Sequence, residues 1–258
     1  MSGQTKPVVE FRNVHFRIGD RTILNGLTLS IEPGETLVLL GRSGSGKTTA
    51  LRLINGMILP TAGEIRVDGK TTVEWDRVRL RRGIGYVIQE TGLFPHFTVE
   101  RNAGLVLEAE GKPSVDREKR SRELLATVGL DPDQFARRYP HQLSGGQRQR
   151  VGLARALAAD PEILLMDEPF GALDPLTRAE MQDMLRSLLS RLRKTVLLVT
   201  HDLDEALYLG NRIVLLSEGK KIADLTPEEF MASQQPEVET YIRAFHRGGR
   251  SAAREKRP

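Results

Sequence analysis

Four short apolar runs punctuate the chain, at residues 35–40, 85–89, 163–168 and 195–200. Runs of this length without strict alternation predict strands buried on both faces, the pattern of a parallel sheet. Helical periodicity fills the intervals. Residues 47–54 read as a helix directly after a glycine-rich stretch. Residues 148–159 place Val151, Ala154, Leu157 and Ala158 at helical spacing, with Ser144 as a plausible N-cap. Residues 116–128 are charged and periodic, with Leu124, Leu125 and Val128 on one face. The region 91–142 is expected to be mostly helical and to lie beside the core. The predicted class is α/β with a doubly wound sheet, whose strand C-termini would carry any site.

The polar residues at the ends of those runs carry the chemistry. After 35–40 come Gly41, Arg42, Ser43, Gly44, Ser45, Gly46, Lys47, Thr48 and Thr49. Glycines there let backbone N–H groups converge on phosphate oxygens, and the helix start adds a positive dipole end. Lys47 would supply a point charge to the outer phosphates and Thr48 a hydroxyl to Mg²⁺. The run 163–168 ends in Asp167, placed to hold Mg²⁺ directly or through water, and Glu168, placed to polarise an attacking water as general base. A strand stopping at a solvated acidic turn would look the same in isolation; the phosphate loop upstream favours the catalytic reading. His201 follows 195–200, where it could contact a γ-phosphate and keep the water and Glu168 in register, and Gln89 ends 85–89, within reach of Mg²⁺ or the water. Farther on, Leu143, Ser144, Gly145, Gly146 and Gln147 open a helix whose first N–H groups could meet a phosphate from the opposite side. One copy of each element makes two half-sites, so ATP is expected between two copies of the chain.

This constellation resembles the ATP-binding cassette (ABC) ATPase family over about residues 8–225, with order and spacing in agreement. By that resemblance residues 41–49 match the Walker A loop, Gln89 the Q-loop, 143–147 the signature, 163–168 the Walker B strand, Asp174 the D-loop and His201 the switch histidine. The resemblance implies a P-loop NTPase (RecA-like) core with an N-terminal antiparallel β-region and a small helical subdomain at about 91–160. It also implies ATP and Mg²⁺ as ligands, hydrolysis to ADP and phosphate, and a head-to-tail dimer driving a membrane partner. One element departs. Where the family stacks adenine on an aromatic residue, this chain has Ile18; Phe16 lies two residues earlier on the same strand face.

Composition narrows the class. The length of 258 residues suits one domain, or one core with a subdomain, and no apolar run of about 18 residues predicts a membrane span. The first seven residues do not read as a signal peptide, and the absence of cysteine excludes disulfides and thiolate metal sites and fits a reducing cytoplasm. The net charge of +4 and the pI near 9.5 owe much to residues 243–257, so 245–258 are expected to be a disordered basic tail beyond an ATPase domain of 1–244. Residues 237–245 read either as a docking helix or as a loose end.

Residues 84–96 and 139–142 resemble the importer branch, and 84–96 are similar to the ATPases of glycine betaine, choline and proline uptake. The expected partners are therefore a second, identical ATPase subunit, an integral-membrane permease and, indirectly, a solute-binding protein, at the cytoplasmic face of the membrane. Leu93, Phe94 and Phe97 read either as apolar contacts of the permease groove or as simple core packing. Only about 30 residues follow the core, too few for the regulatory domain such ATPases often carry. DNA-repair and translation ATPases of the family are the rival class. The first inserts a long coiled coil between the two half-sites and the second carries two cassettes. Neither pattern is present, and nucleic acid is not expected as a partner. A lipid-transport or export ATPase would share nearly every residue named.

Overall fold

The computed structural model describes residues 6–254, with side chains described through Phe245. Among the described residues ten strands run in chain order: β1 Val9–Ile18, β2 Arg21–Ile31, β3 Thr36–Leu40, β4 Ala62–Val67, β5 Lys70–Thr71, β6 Ile84–Val87, β7 Ile163–Asp167, β8 Thr195–Thr200, β9 Arg212–Ser217 and β10 Lys220–Leu225. They form two sheets. An antiparallel sheet has the order β2-β1-β4-β5, and a six-stranded sheet has the order β10-β9-β3-β8-β7-β6. In the larger sheet β6, β7, β8, β3 and β9 are parallel neighbours, and β10 closes one edge as an antiparallel strand.

The apolar runs explain why this sheet is buried on both faces. Alternate residues of a strand point to opposite sides. In β3, Val38 and Leu40 join one core cluster while Leu37 and Leu39 join another. The same split recurs in β7, with Leu164 and Met166 against Ile163 and Leu165, and in β8, with Val196 and Leu198 against Leu197 and Val199. One cluster is shared with the helices Ser114–Thr127, Gly145–Ala156 and Pro175–Leu192. The other takes the buried face of Lys47–Ile54 and the inner residues of the antiparallel sheet, among them Phe11, Leu24 and Leu27.

The helices Val99–Ala103, Leu105–Ala109, Ser114–Thr127, Pro132–Phe135 and Gly145–Ala156 all fall between β6 and β7. Several expected boundaries shift. The strand expected at 85–89 stops at Val87, leaving Gln89 two residues beyond it and exposed. The helix expected at 148–159 starts at Gly145 and ends at Ala156, because its N-terminal cap is Ser144. The segment expected as a tail from 245 begins inside a helix, Pro236–Arg254, and residues 255–258 lie outside the described residues. Among the described residues no helix is long and apolar enough to cross a membrane.

Candidate active site

The C-terminal ends of the parallel strands open onto one face. Register aligns Leu40 of β3 with Thr200 of β8, and Asp167 of β7 with Val199, so the segments after β3, β6, β7 and β8 emerge side by side. Residues 41–46 form the turn between β3 and the helix Lys47–Ile54. Gly46 at the helix N-cap has φ +103°, and the helix has neither a side-chain cap nor an acidic residue in its first turn. Its first amide groups are thus not taken up by the chain itself, the condition for holding an anion. A Cβ at Gly46 would meet Leu24 Cδ2 at 2.6 Å and Ile23 O at 3.0 Å, and one at Gly41 would meet Leu216 O at 2.3 Å. These two glycines let the loop tuck between β2 and β9. At Gly44, with φ +80°, a Cβ would face open space. Arg42, Ser43 and Gly44 are exposed, Thr49 is half-buried, and Ser45 is buried with no hydrogen-bond partner for Oγ.

Lys47 folds back over the loop. Its Nζ donates to Gly41 O at 2.8 Å and Arg42 O at 3.0 Å. Burial lowers its pKa, opposed by the nearby charges of Glu168 and Asp167. Thr48 Oγ1 donates to Asp167 Oδ1 at 2.9 Å, and Tyr86 Oη lies 3.5 Å from Asp167 Oδ2. Burial raises the Asp167 pKa against the lowering effect of the Thr48 bond, and it pushes the Tyr86 phenol up to about 12.

This oxygen donor set, a desolvated carboxylate beside a hydroxyl, suits a hard divalent cation such as Mg²⁺. Among the described residues no group of three or more His, Cys, Asp or Glu is arranged to hold a metal. Such an ion would therefore complete its shell from phosphate and water, the usual habit of Mg²⁺. The buried, unpartnered Ser45 Oγ and the uncapped amides fit the phosphate.

Glu168 follows β7 in the left-handed region, at φ +45°. Non-glycine residues seldom occupy that region, and where they do it is commonly at sites of function. The turn brings its Oε2 to 3.2 Å from His201 Nδ1 and 3.4 Å from Gln89 Nε2. The three residues thus meet at one carboxylate oxygen despite lying far apart in sequence.

Ser144, Gly145, Gly146 and Gln147 open the helix Gly145–Ala156 and do not touch this cluster within one chain. Ser144 Oγ accepts from Gln147 N at 3.2 Å, and Gln147 Oε1 accepts from Ser144 N at 2.9 Å, a reciprocal capping box. A Cβ at Gly146 would meet Thr177 Cγ2 at 2.5 Å, whereas one at Gly145 would make only an ordinary contact with Leu173 at 3.6 Å. Gly146 is therefore required by packing and Gly145 is not. Asp174 caps the helix Pro175–Leu192 by accepting from Thr177 N, and hydrogen bonding to the Thr177 side chain, then to its backbone, lowers its pKa.

Ile18 is 65% exposed at the tip of β1, while Phe16 is half-buried and packs against the core cluster that includes the antiparallel sheet. Leu93 leans into the other core cluster, and Phe94 stays exposed, stacked on Phe97 at 5.2 Å. Arg155 makes a link that no motif in the sequence announces. It donates to Thr91 O at 2.6 Å and Gly92 O at 2.7 Å, tying the helix after Ser144 to the segment after Gln89. An arginine flanked by the buried Ala154 and Ala156 was the available signal, since such a charge needs a partner.

The ABC transporter family model matches residues 24–171. The choline transport ATP-binding protein OpuBA of Bacillus subtilis is 47% identical over 225 residues, covering 87% of this chain and 59% of its own length. The glycine betaine uptake system ATP-binding protein YehX of Escherichia coli is 45% identical, with 85% of this chain and 71% of the relative covered. The chain thus spans well under two thirds of the Bacillus relative. Among solved structures, the dimeric post-hydrolysis state of the ATP-binding cassette MJ0796, bound to ADP and Pi, superposes with a TM-score of 0.75 at 37% identity, covering 85% of this chain and 98% of that one. CbiO1 of Clostridium perfringens, part of the transporter complex cbiONQ, gives 0.80 at 27% identity, with 88% and 92% covered.

Proposed function

The chain belongs to the ABC transporter family, and from that premise we propose that it is the ATP-hydrolysing subunit of an importer for quaternary-amine osmoprotectants. The observation that carries hydrolysis is the meeting of Glu168, His201 and Gln89 beside the Lys47 loop. Substrate class rests on relatives named for choline and glycine betaine transport.

ATP is cradled by Gly41, Arg42, Ser43, Gly44, Ser45, Gly46, Lys47, Thr48 and Thr49. Thr48 and Asp167, with Gln89, would hold Mg²⁺, which would supply neutralisation of charge on the phosphate oxygens. Glu168 takes a proton from water as its oxygen attacks the γ-phosphorus. The bond to the β–γ bridging oxygen breaks, leaving ADP and inorganic phosphate. His201 and Gln89, both directed at Glu168 Oε2, fix that carboxylate and the water against it. Lys47 sits between the loop carbonyls and the two acids, where it can follow charge as it moves outward.

The second half of each site comes from Ser144, Gly145, Gly146, Gln147 and Asp174 of another copy. Ser144 is exposed and Gly145 half-buried, and a Cβ at Gly145 would meet only Leu173 at 3.6 Å, so the backbone there is less enclosed than at the buried Gly146. The helices between β6 and β7 then form the lever toward a permease. Gln89 and Arg155 are the links that carry phosphate-dependent movement into it. A permease partner places the chain at the cytoplasmic face of the membrane, with a solute-binding protein reached only through the permease.

The test is replacement of the chromosomal copy by Lys47→Ala in the source cell. Loss of radiolabelled choline or glycine betaine uptake, with co-purification of the parent chain and a membrane permease, is expected. Unchanged uptake of both solutes, or salt-sensitive retention on DNA or ribosomes in place of a permease, overturns it.

A further inference from the structure

The helix Pro236–Arg254 returns from the far edge of the sheet to the site. Val238 is fully buried, and Tyr241, Ile242 and Phe245 pack against the core cluster shared with Leu203 and Phe230. This docking brings Tyr241 Oη to 2.8 Å from His201 O, to which it donates. The His201 side chain itself is 60% exposed, so side-chain packing does little to hold it. Apart from its contact with Glu168, its placement depends on its backbone.

That backbone is braced on both sides. Asp202 N donates to Thr200 Oγ1, Thr200 donates to the buried Glu205, and Asp202 caps the next helix while pairing with Arg178 at 3.3 Å. Those contacts fix residues 200 and 202. The hydrogen bond from Tyr241 fixes the carbonyl of His201 itself, on the residue whose Nδ1 meets Glu168.

We infer that Tyr241 is a positioning residue: through its hydrogen bond to the His201 carbonyl, the C-terminal helix holds the histidine in register with Glu168. Hydrolysis therefore depends on the docking of a helix outside the six-stranded sheet. Burial, with the neighbouring charges of Asp202 and Glu168, pushes the phenol up to about 12, so it remains a donor at neutral pH. The inference rests on the ATPase reading above. A parent chain devoid of ATPase activity would sink that reading, whereas the comparison below addresses Tyr241 alone.

The test is Tyr241→Phe in the full chain, which removes the hydroxyl and keeps the packing ring. Steady-state phosphate release should show kcat reduced about tenfold, the scale of a small misplacement at a reacting centre, with KM for ATP within about twofold of the parent. Arg243→Ala, on the exposed face of the same helix, serves as control and should leave kcat unchanged. In a Glu168→Gln background, Tyr241→Phe should still bind ATP with parental affinity, showing that the cradle is intact. A Tyr241→Phe enzyme with parental kcat overturns the inference. So does one whose kcat and ATP affinity fall together, which marks a merely structural contact.

Discussion

Glu168→Gln separates proton chemistry from nucleotide binding. Gln is nearly isosteric, so the left-handed turn and the contacts to His201 and Gln89 survive in outline, while the charge and the basic oxygen are lost. Removing that charge also relieves repulsion on Asp167, whose pKa Glu168 helps to raise, so the fold should not suffer. Loss of a positioned general base typically slows turnover by about 10²–10⁴. That range corresponds to about 3–5 kcal/mol of barrier. The expected result is phosphate release reduced by that factor at saturating Mg-ATP, ATP affinity at or above the parental value, and an ATP-dependent dimer visible by light scattering. Parental turnover would refute the assignment of the base. A variant that loses turnover because it no longer binds ATP would refute it differently, by making Glu168 part of the cradle.

Lys47→Ala removes a charge-assisted contact of about 1.5–3 kcal/mol and should weaken ATP binding roughly 10- to 100-fold, read by fluorescent-nucleotide titration. The adjacent glycines should behave oppositely. Gly146→Ala forces a carbon to within 2.5 Å of Thr177 and should cost about 1–3 kcal/mol in urea unfolding, while Gly145→Ala should leave the midpoint unchanged but lower ATPase activity. The buried Glu205, bonded to Thr200, has its pKa raised by desolvation. The native state therefore binds its proton more tightly than the unfolded chain, and stability falls as pH rises from the unfolded value through the folded one. Glu205→Gln should accordingly melt higher than the parent at pH 8, with the difference closing as pH falls below the ordinary glutamate value of about 4.3, where the carboxyl becomes protonated in both states.

The parallel core was legible because a strand buried on both faces leaves an unbroken apolar run, as at Leu37, Val38 and Leu39. The Ser144 cap was legible because a capping box is local, with Gln147 three residues away. Boundaries set by turn geometry were less so. Gln89 falls beyond its strand, and nothing local announces the left-handed conformation of Glu168. Long-range contacts were not legible at all. Tyr241 reaches His201, and Arg155 reaches Thr91, only because separate helices dock on the same sheet, and neither pairing leaves a periodic trace. Gly146 reads as a phosphate contact in the motif, yet its spatial constraint is Thr177, thirty-one positions later by numbering and adjacent only after folding.

The most direct test of a site shared between two copies is specific ATPase activity as a function of protomer concentration, with mass followed by light scattering on the same samples. Activity per protomer should fall as dilution drives the population to monomer, and it should vanish with the dimer. A flat specific activity from a preparation that scatters as a monomer would contradict the shared site.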